Sequence, residues 1–275
     1  LREIALILLS VAFLAFLALV VYQTSRVQRL RLAAGSATGE SYIVCAALKT
    51  VVERHNANLR ISLLETGGTV ENLKLLEEGG ADLAVAQADV LAGAGARILA
   101  VLFDDTFQLL THEDSPVHDF YSLRGRTVAL PRTGGQFQSF LRVAAHFGLN
   151  ESDFHFVGET DSDADRAFSS RSADASFRVR ALGNPSIQSL VQNGHLRLVR
   201  VDHAAAMRIH QPAFQPTTIP AGAYMGNPAV PSEDVPSVAV HRTLLASAGA
   251  DEGAHPGDHR GSSGPPAGDC ARNFQ

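Results

Sequence analysis

Two cysteines, Cys45 and Cys270, are all that this chain contains, and they stand far apart with Cys270 in a tail of odd composition. No disulfide framework is therefore expected, and the cysteines say little about compartment. Basic clusters interleaved with aromatics are missing, and the net charge is −5 with a pI near 6.1. Nucleic acid is thus not an expected partner. The glycine loops lack the Gly-Lys-Thr end of a phosphate-cradling loop, so they carry no nucleotide expectation. No nucleophile elbow occurs, and Ser36 and Ser41 have no histidine close by in sequence. An enzyme is not expected. The histidines are scattered; His255, His259 and Cys270 could take up a metal adventitiously, but a flexible tail is the preferred reading. Asp161, Asp163 and Asp165 alternate, yet Ala167 falls where a calcium loop should continue and its glycine is missing. That run reads as a solvated acidic turn. Neither metal nor cofactor is expected.

What is present is size enough for a good core. At 275 residues and 29.2 kDa, with 45% hydrophobic residues, the chain can make one large domain or two lobes. The run Ile4 to Tyr22 holds no charge, and its length of about 19 residues is close to what a helix needs to span a bilayer. No clear small-x-small cleavage site precedes Arg26, so an uncleaved anchor is preferred over a signal segment for residues 1–28. Arg26, Arg29 and Arg31 follow the run and would, on the positive-inside rule, place the next domain in the cytoplasm.

The central unit is Arg60 to Val90. Ile61, Leu63 and Leu64 mark a strand ending in the turn Thr66-Gly67-Gly68-Thr69. Val70, Leu73 and Leu76 then carry a short helix to Gly79-Gly80, with Thr69 as its N-cap. Ala81 to Ala86 is an apolar strand with Gln87 and Asp89 at its carboxyl end, where open α/β sheets bind ligands. The same plan occurs before it and after it. A strand from Arg29 to Ala34 leads into the loop Gly35 to Tyr42 and a helix bearing Ala46, Leu48 and Val52; its amino end favours an anionic or carboxylate ligand, although a plain tight turn is the competing reading. Later a strand ends at Pro131-Arg132-Thr133-Gly134-Gly135-Gln136, ahead of a helix with Phe137, Phe140 and Leu141.

Between these units, Arg97 to Leu102 and Phe107 to His112 read as two strands. The strand through Phe177 ends at Arg178-Val179-Arg180, and Arg178 is either a surface arginine or a fork gripping a carboxylate. Asn184-Pro185 opens another helix. Six prolines between Pro212 and Pro236 suit an extended crossing, and Ser237 to Leu245 returns to a strand. Beyond Ser247 the Gly/Pro/Ser-rich composition predicts disorder.

The motifs resemble, in order, those of the TRAP-associated extracytoplasmic immunogenic (TAXI) family of solute-binding receptors. The matching residues are Gly35 to Tyr42, Thr66 to Leu73, Gln87 with Asp89, Leu123 to Val128, Thr133-Gly134-Gly135, Asp174 to Phe177, Asn184-Pro185, Ile219 to Tyr224 and Val238 to Val240. The resemblance implies an α/β, two-lobed periplasmic-binding-protein-like fold of type II, with a ligand cleft between the lobes. It places lobe 1 at 32–111 plus 216–247, lobe 2 at 112–215 and an aberrant or disordered tail at 248–275. It further implies a receptor outside the cytoplasm that hands a dicarboxylate or amino acid to a TRAP-type permease, and the uncharged run Ile4 to Tyr22 would anchor it to the inner membrane. A membrane-anchored ligand-sensing or interaction domain is the alternative. Expected ligand contacts are Ser36, Thr38, Gly39, Tyr42, Thr66, Gly68, Thr69 and Gln87 from the first lobe. Thr133, Gly134, Gly135, Gln136, Arg178 and Asn184 are expected from the second. Where many members carry Phe-Phe-Val before Asn-Pro, this chain has Phe177-Arg178-Val179, which shifts the expected preference towards an acid. The family also continues past its last strand with helices, whereas this chain turns to the Gly/Pro/Ser tail.

Overall fold

The computed structural model describes residues 8–17, 19 and 27–248. Residues 8–17 are helical and exposed, but the rest of the apolar run from Ile4 to Tyr22 lies almost wholly outside the described residues. Among the described residues no helix is long and apolar enough to cross a membrane, so the expected N-terminal span gains no support here. The tail beyond residue 248, with Cys270, also lies outside them. Cys45 is buried and unpaired, and burial pushes its thiol up to about 11.

Strand–loop–helix units follow one another as the glycine punctuation predicts. They are β1 (Gln28–Gly35), α1 (Glu40–His55), β2 (Leu59–Glu65), α2 (Thr69–Glu77) and β3 (Leu83–Gln87). After the long β4 (Ala96–His112) come β5 (Thr127–Ala129), α3 (Gly134–His146), β6 (His155–Val157), α4 (Asp161–Ser169), β7 (Ala175–Arg180) and α5 (Pro185–Asn193). The chain closes with β8 (Leu196–Val199), α6 (Ala204–His210), β9 (Gln215–Ile219), the small hairpin β10 (Met225–Gly226) and β11 (Ala229–Val230), and β12 (Val235–Ser247).

Three expectations change. The two strands expected between Arg97 and His112 are one, because the acidic pair Asp104-Asp105 is carried within β4, with Asp105 fully buried. The proline-rich crossing is in part ordered sheet, since β9 pairs with β12, and β10 with β11. The acidic run 161–165 is the first turn of α4, not a solvated turn: Thr160 and Asp163 form a capping box, and carboxylates favour a helix amino end.

One mixed sheet runs β2-β1-β3-β12-β4-β7-β5-β6, with β8 added to β4 and β9 to β12. The long strands β4 and β12 exchange partners along their length. Up to Thr106, β4 pairs with β12; from Thr106 on it pairs with β7 and then β8. Likewise β12 pairs with β9 over Val235–Ala239 and with β3 over Arg242–Ala246. The register between β4 and β12 shifts between Arg242 and Thr243, a bulge that bends the strand pair where the partners change. Either side of this bend has its own core. Beyond it, Phe140 meets Phe154, Phe156 and Phe177 nearly edge-on at 4.9, 5.5 and 5.3 Å. Before it, Leu32, Ala34, Cys45, Ile61 and Leu244 pack together. Ile98, Leu99 and Val101 stay exposed on the first half of β4.

Close packing of α4 depends on one glycine. Gly158 has φ +96°, and a Cβ there would stand 2.6 Å from Ala164 N and 2.7 Å from its Cα. Neither backbone can give way cheaply, so Gly158→Ala is expected to destabilise by about 2–4 kcal/mol. Urea unfolding checks this, and a loss below about 1 kcal/mol would show that α4 can move aside.

Candidate functional site

The carboxyl ends of the strands and the amino ends of the helices are tied to one another across the bend. On one side, Thr66 accepts from Gly35 N at 3.1 Å and donates to Asn72, whose Nδ2 donates to Val85 O at 2.7 Å. This hydrogen-bonded knot fixes the β1 and β2 loops against α2. Thr69 is the first residue of α2 rather than its cap, which is Gly68; its hydroxyl instead accepts from Gln87 N at 3.2 Å and from Arg242 Nη1 at 3.1 Å.

From the other side comes α3. Gln87 Nε2 donates to Ser139 Oγ at 3.3 Å, and Ser139 donates to Asp89 Oδ2 at 2.6 Å. Burial pushes the Asp89 carboxyl up, against Ser139 and Arg142, which stands 3.9 Å away. Gly135 fits here because it has no side chain: a Cβ would meet Gln87 Oε1 at 2.2 Å and Thr69 Cβ at 3.2 Å. A second bridge joins α1 to the loop before α5. Asn184 Nδ2 donates to Glu40 Oε1 at 2.8 Å and Ala181 N to Glu40 Oε2 at 3.3 Å, while Asn184 Oδ1 caps α5 through Ser186 N and Ile187 N.

Between these bridges lies a set of buried charges. Arg242 pairs with Asp105 at 2.5 Å, where Asp105 is fully buried. The pair is close but poorly directed, so neither oxygen of Asp105 has a hydrogen-bond partner, nor does Arg242 Nε. Burial pushes Asp105 up to about 6; Arg242 and Arg180 oppose this and Glu40 adds to it. Asp161 accepts from Gln136 Nε2 at 2.6 Å and pairs with Arg180, while Gln136 Oε1 is buried without a partner. Gln108 accepts from Tyr224 Oη and donates to Arg180 O at 3.1 Å, and burial raises the Tyr224 phenol to about 12. Side chains of both halves thus touch across the crevice. Two surface hollows lie elsewhere, one beside Leu73, Gly93 and Ser247, the other beside His118, Arg200 and Glu233.

The sequence-derived candidates divide accordingly. Thr69, Gln87, Gly135, Gln136 and Asn184 are brought together in the crevice. Thr66 is buried in the knot behind them, and Gly68 and Gly39 are helix caps, Gly39 N donating to Ser36 O at 2.8 Å. Ser36 and Thr38 are exposed, their hydroxyls 3.3 Å apart, and Thr133 is an exposed cap ahead of Gly134. Tyr42 lies inside α1 and packs on the Leu32–Ile61 core, because the helix starts at Glu40, three residues earlier than a loop running to Tyr42 implies.

Arg178 needs correction. Its Nη1 donates to Ala129 O and Phe177 O at 3.0 and 2.9 Å, and its Nη2 meets Asp165 at 2.5 Å. Its guanidinium is thereby occupied behind the crevice, joining β5, β7 and α4. Arg180, two residues on and so on the same face of β7, is the arginine at the strand end. Glu40, Asp105, Ser139, Asp161, Arg180, Tyr224 and Arg242 were not read as site residues. Only Arg180 carried a signal, its place at the end of the strand.

Comparison places this arrangement among known proteins. Residues 32–255 match the NMT1-like family. The periplasmic aliphatic sulphonate binding protein SsuA from Escherichia coli superposes with a TM-score of 0.53 at 18% identity, covering 82% of this chain and 63% of that one. The alkanesulfonate-binding protein SsuA from Xanthomonas axonopodis pv. citri, bound to MOPS, gives 0.51 at 18% identity over 81% and 66%. The GluR0 ligand binding core in complex with L-glutamate gives 0.51 at 13% identity over 80% and 85%. The fold is an α/β periplasmic-binding-protein-like fold. The chain spans less than two thirds of the length of the two sulfonate-binding proteins.

Proposed function

The chain belongs to the NMT1-like family, and we propose that it is an extracytoplasmic solute-binding receptor that closes on a small organic anion or amino acid. The observation that carries this reading is the crevice itself, where buried Asp105, Gln136 and Arg242 each keep a polar atom without a partner. Buried polar atoms left unmatched are costly, and a small polar solute seated among them would satisfy them. As in receptors that hinge, the two halves are joined by a few strand segments that can absorb a change of angle. The lobes would divide within β4 near Asp105 and within β12 at Ala239–Arg242, where the pairing partners change, rather than at His112 and Gln215. The ordered TAXI-like motifs support delivery to a TRAP-type permease, and the apolar N-terminal run supports anchoring at the inner membrane.

Thermal unfolding of the full chain against a panel of small carboxylates, sulfonates and amino acids tests the reading. A solute bound only by the folded state stabilises by about 2.7 kcal/mol at a hundredfold excess over Kd. A saturable rise with one chemical class is expected. A cooperative transition that no solute moves would defeat the receptor reading and favour an interaction domain.

A further inference from the structure

Two histidines that are remote in sequence meet in the fold. His146 ends α3 and His203 immediately precedes α6, and His146 Nε2 stands 3.3 Å from His203 Nδ1. Phe147 packs on both rings: it stacks on His203 with ring centres 5.5 Å apart and meets His146 edge-on at 5.2 Å. The two imidazole planes stand at 74° to each other. His203 is anchored by its backbone as well. In the left-handed region at φ +68°, it turns the chain into α6, and its carbonyl accepts from Met207 N at 2.8 Å.

A hydrogen bond accounts for one proton between the rings, but the spacing also suits a cation. Two nitrogens on one tetrahedral zinc, each about 2.0–2.1 Å from it, stand about 3.3–3.4 Å apart. Both histidines are exposed, so an ion reaches them from solvent and the rings have room to turn their lone pairs onto it. Partial burial, then the neighbouring His203 and His210, lower the proton affinity of His146, which keeps its nitrogen open to a metal. Among the described residues no group of three ligands is assembled, so water must complete the coordination. Imidazole pairs suit zinc, nickel or copper; calcium and magnesium prefer oxygen.

We propose that His146 and His203 form a two-histidine site for a divalent transition-metal ion, joining the carboxyl end of α3 to the start of α6. The hydrogen bond between the rings is given up. Each imidazole stays neutral with its one proton on the nitrogen turned away, and the two facing nitrogens each donate a lone pair to the cation. The site lies at the opposite end of α3 from Gly135 and does not rest on the receptor reading.

The test titrates zinc chloride by calorimetry into the full chain, after a chelator has been applied and dialysed away, with thermal unfolding recorded alongside. Saturable binding with a Kd well below about 1 mM is expected, together with a rise in melting temperature. One zinc equivalent is expected to be lost, or weakened by about tenfold or more, in His203→Asn and again in His146→Gln. Asparagine is at ease in the left-handed region, so the first change removes the ligand without straining the turn. Both variants are expected to melt, free of metal, as the unaltered chain does. A full-length triple variant, His255→Ala with His259→Ala and Cys270→Ala, removes the donors of the tail and is expected to retain that equivalent. Zinc binding that persists undiminished in His203→Asn, or that vanishes in the triple variant, places the ion elsewhere and overturns the site. Absence of saturable binding to the unaltered chain overturns it too.

Discussion

Arg242→Ala is expected to lower the stability of the folded chain by about 3–5 kcal/mol at pH 7.5, the range for removing one partner of a buried ion pair. Arg242 stands 2.5 Å from Asp105 with its side chain only 10% exposed, and Asp105 is wholly buried. Without the guanidinium the carboxylate is left in a low-dielectric site with no counter-charge, and Thr69 loses the donor that ties α2 to β12. Asp105 can escape by taking a proton, and burial already raises its acid to about 6 from 3.8. A raised carboxyl weakens the folded state above its folded pKa, so this group gives stability back as pH falls from about 7 towards 4. The loss in Arg242→Ala is therefore largest at pH 7.5 and smaller at pH 5, where Asp105 is neutral in either protein. Denaturant unfolding at both values checks it. A loss under about 1 kcal/mol at pH 7.5, or one independent of pH, would mean that the pair does not hold the bend.

Gly135→Val is expected to abolish solute capture, weakening it by about a hundredfold or more, which corresponds to nearly 3 kcal/mol, while folding survives. Gly135 lies in the first turn of α3, against Gln87 and Thr69 of the opposite half. Gln87 is held by Ser139 and Thr69 is held by Arg242, so neither moves aside freely. A branched side chain has no room in the closed contact, yet it fits a helix whose neighbours are further away, so the halves should be held apart. Solution scattering is expected to show a larger radius of gyration than in the unaltered chain, together with a single cooperative unfolding transition. Tight binding with unchanged dimensions would place the solute somewhere other than between these halves.

Much of the architecture could be read locally. The turn at Thr66 to Thr69, the apolar spacing of Leu73 and Leu76, and Asn184-Pro185 each fixed a boundary within a few residues of that observed. The join of 97–102 with 107–112 was missed because Asp104-Asp105 looks like a break in a strand. Asp105 tolerates burial only because Arg242, from the last strand, reaches it. The acidic run 161–165 differs from its sequence reading for a related reason: Asp163 closes a local capping box, but Asp161 and Asp165 are occupied by Arg180, Gln136 and Arg178, none of which is near them in sequence.

By itself the sequence determined that glycine and hydroxyl loops would stand between strand ends and helix starts, and that polar groups would gather there. Spacing and turn chemistry act over a few residues, and they suffice for that much. Only the tertiary structure decided which charges meet. Arg178 and Arg180 share a face of one strand and both meet carboxylates of α4, but the first is buried on Asp165 while the second, on Asp161 at the start of the helix, stands at the crevice. Arg242 and Thr69 are 173 residues apart, and β12 brings them together by threading back between β3 and β4. An electrostatic site is a sum over distances, and distances between such remote residues exist only once the sheet has closed its order.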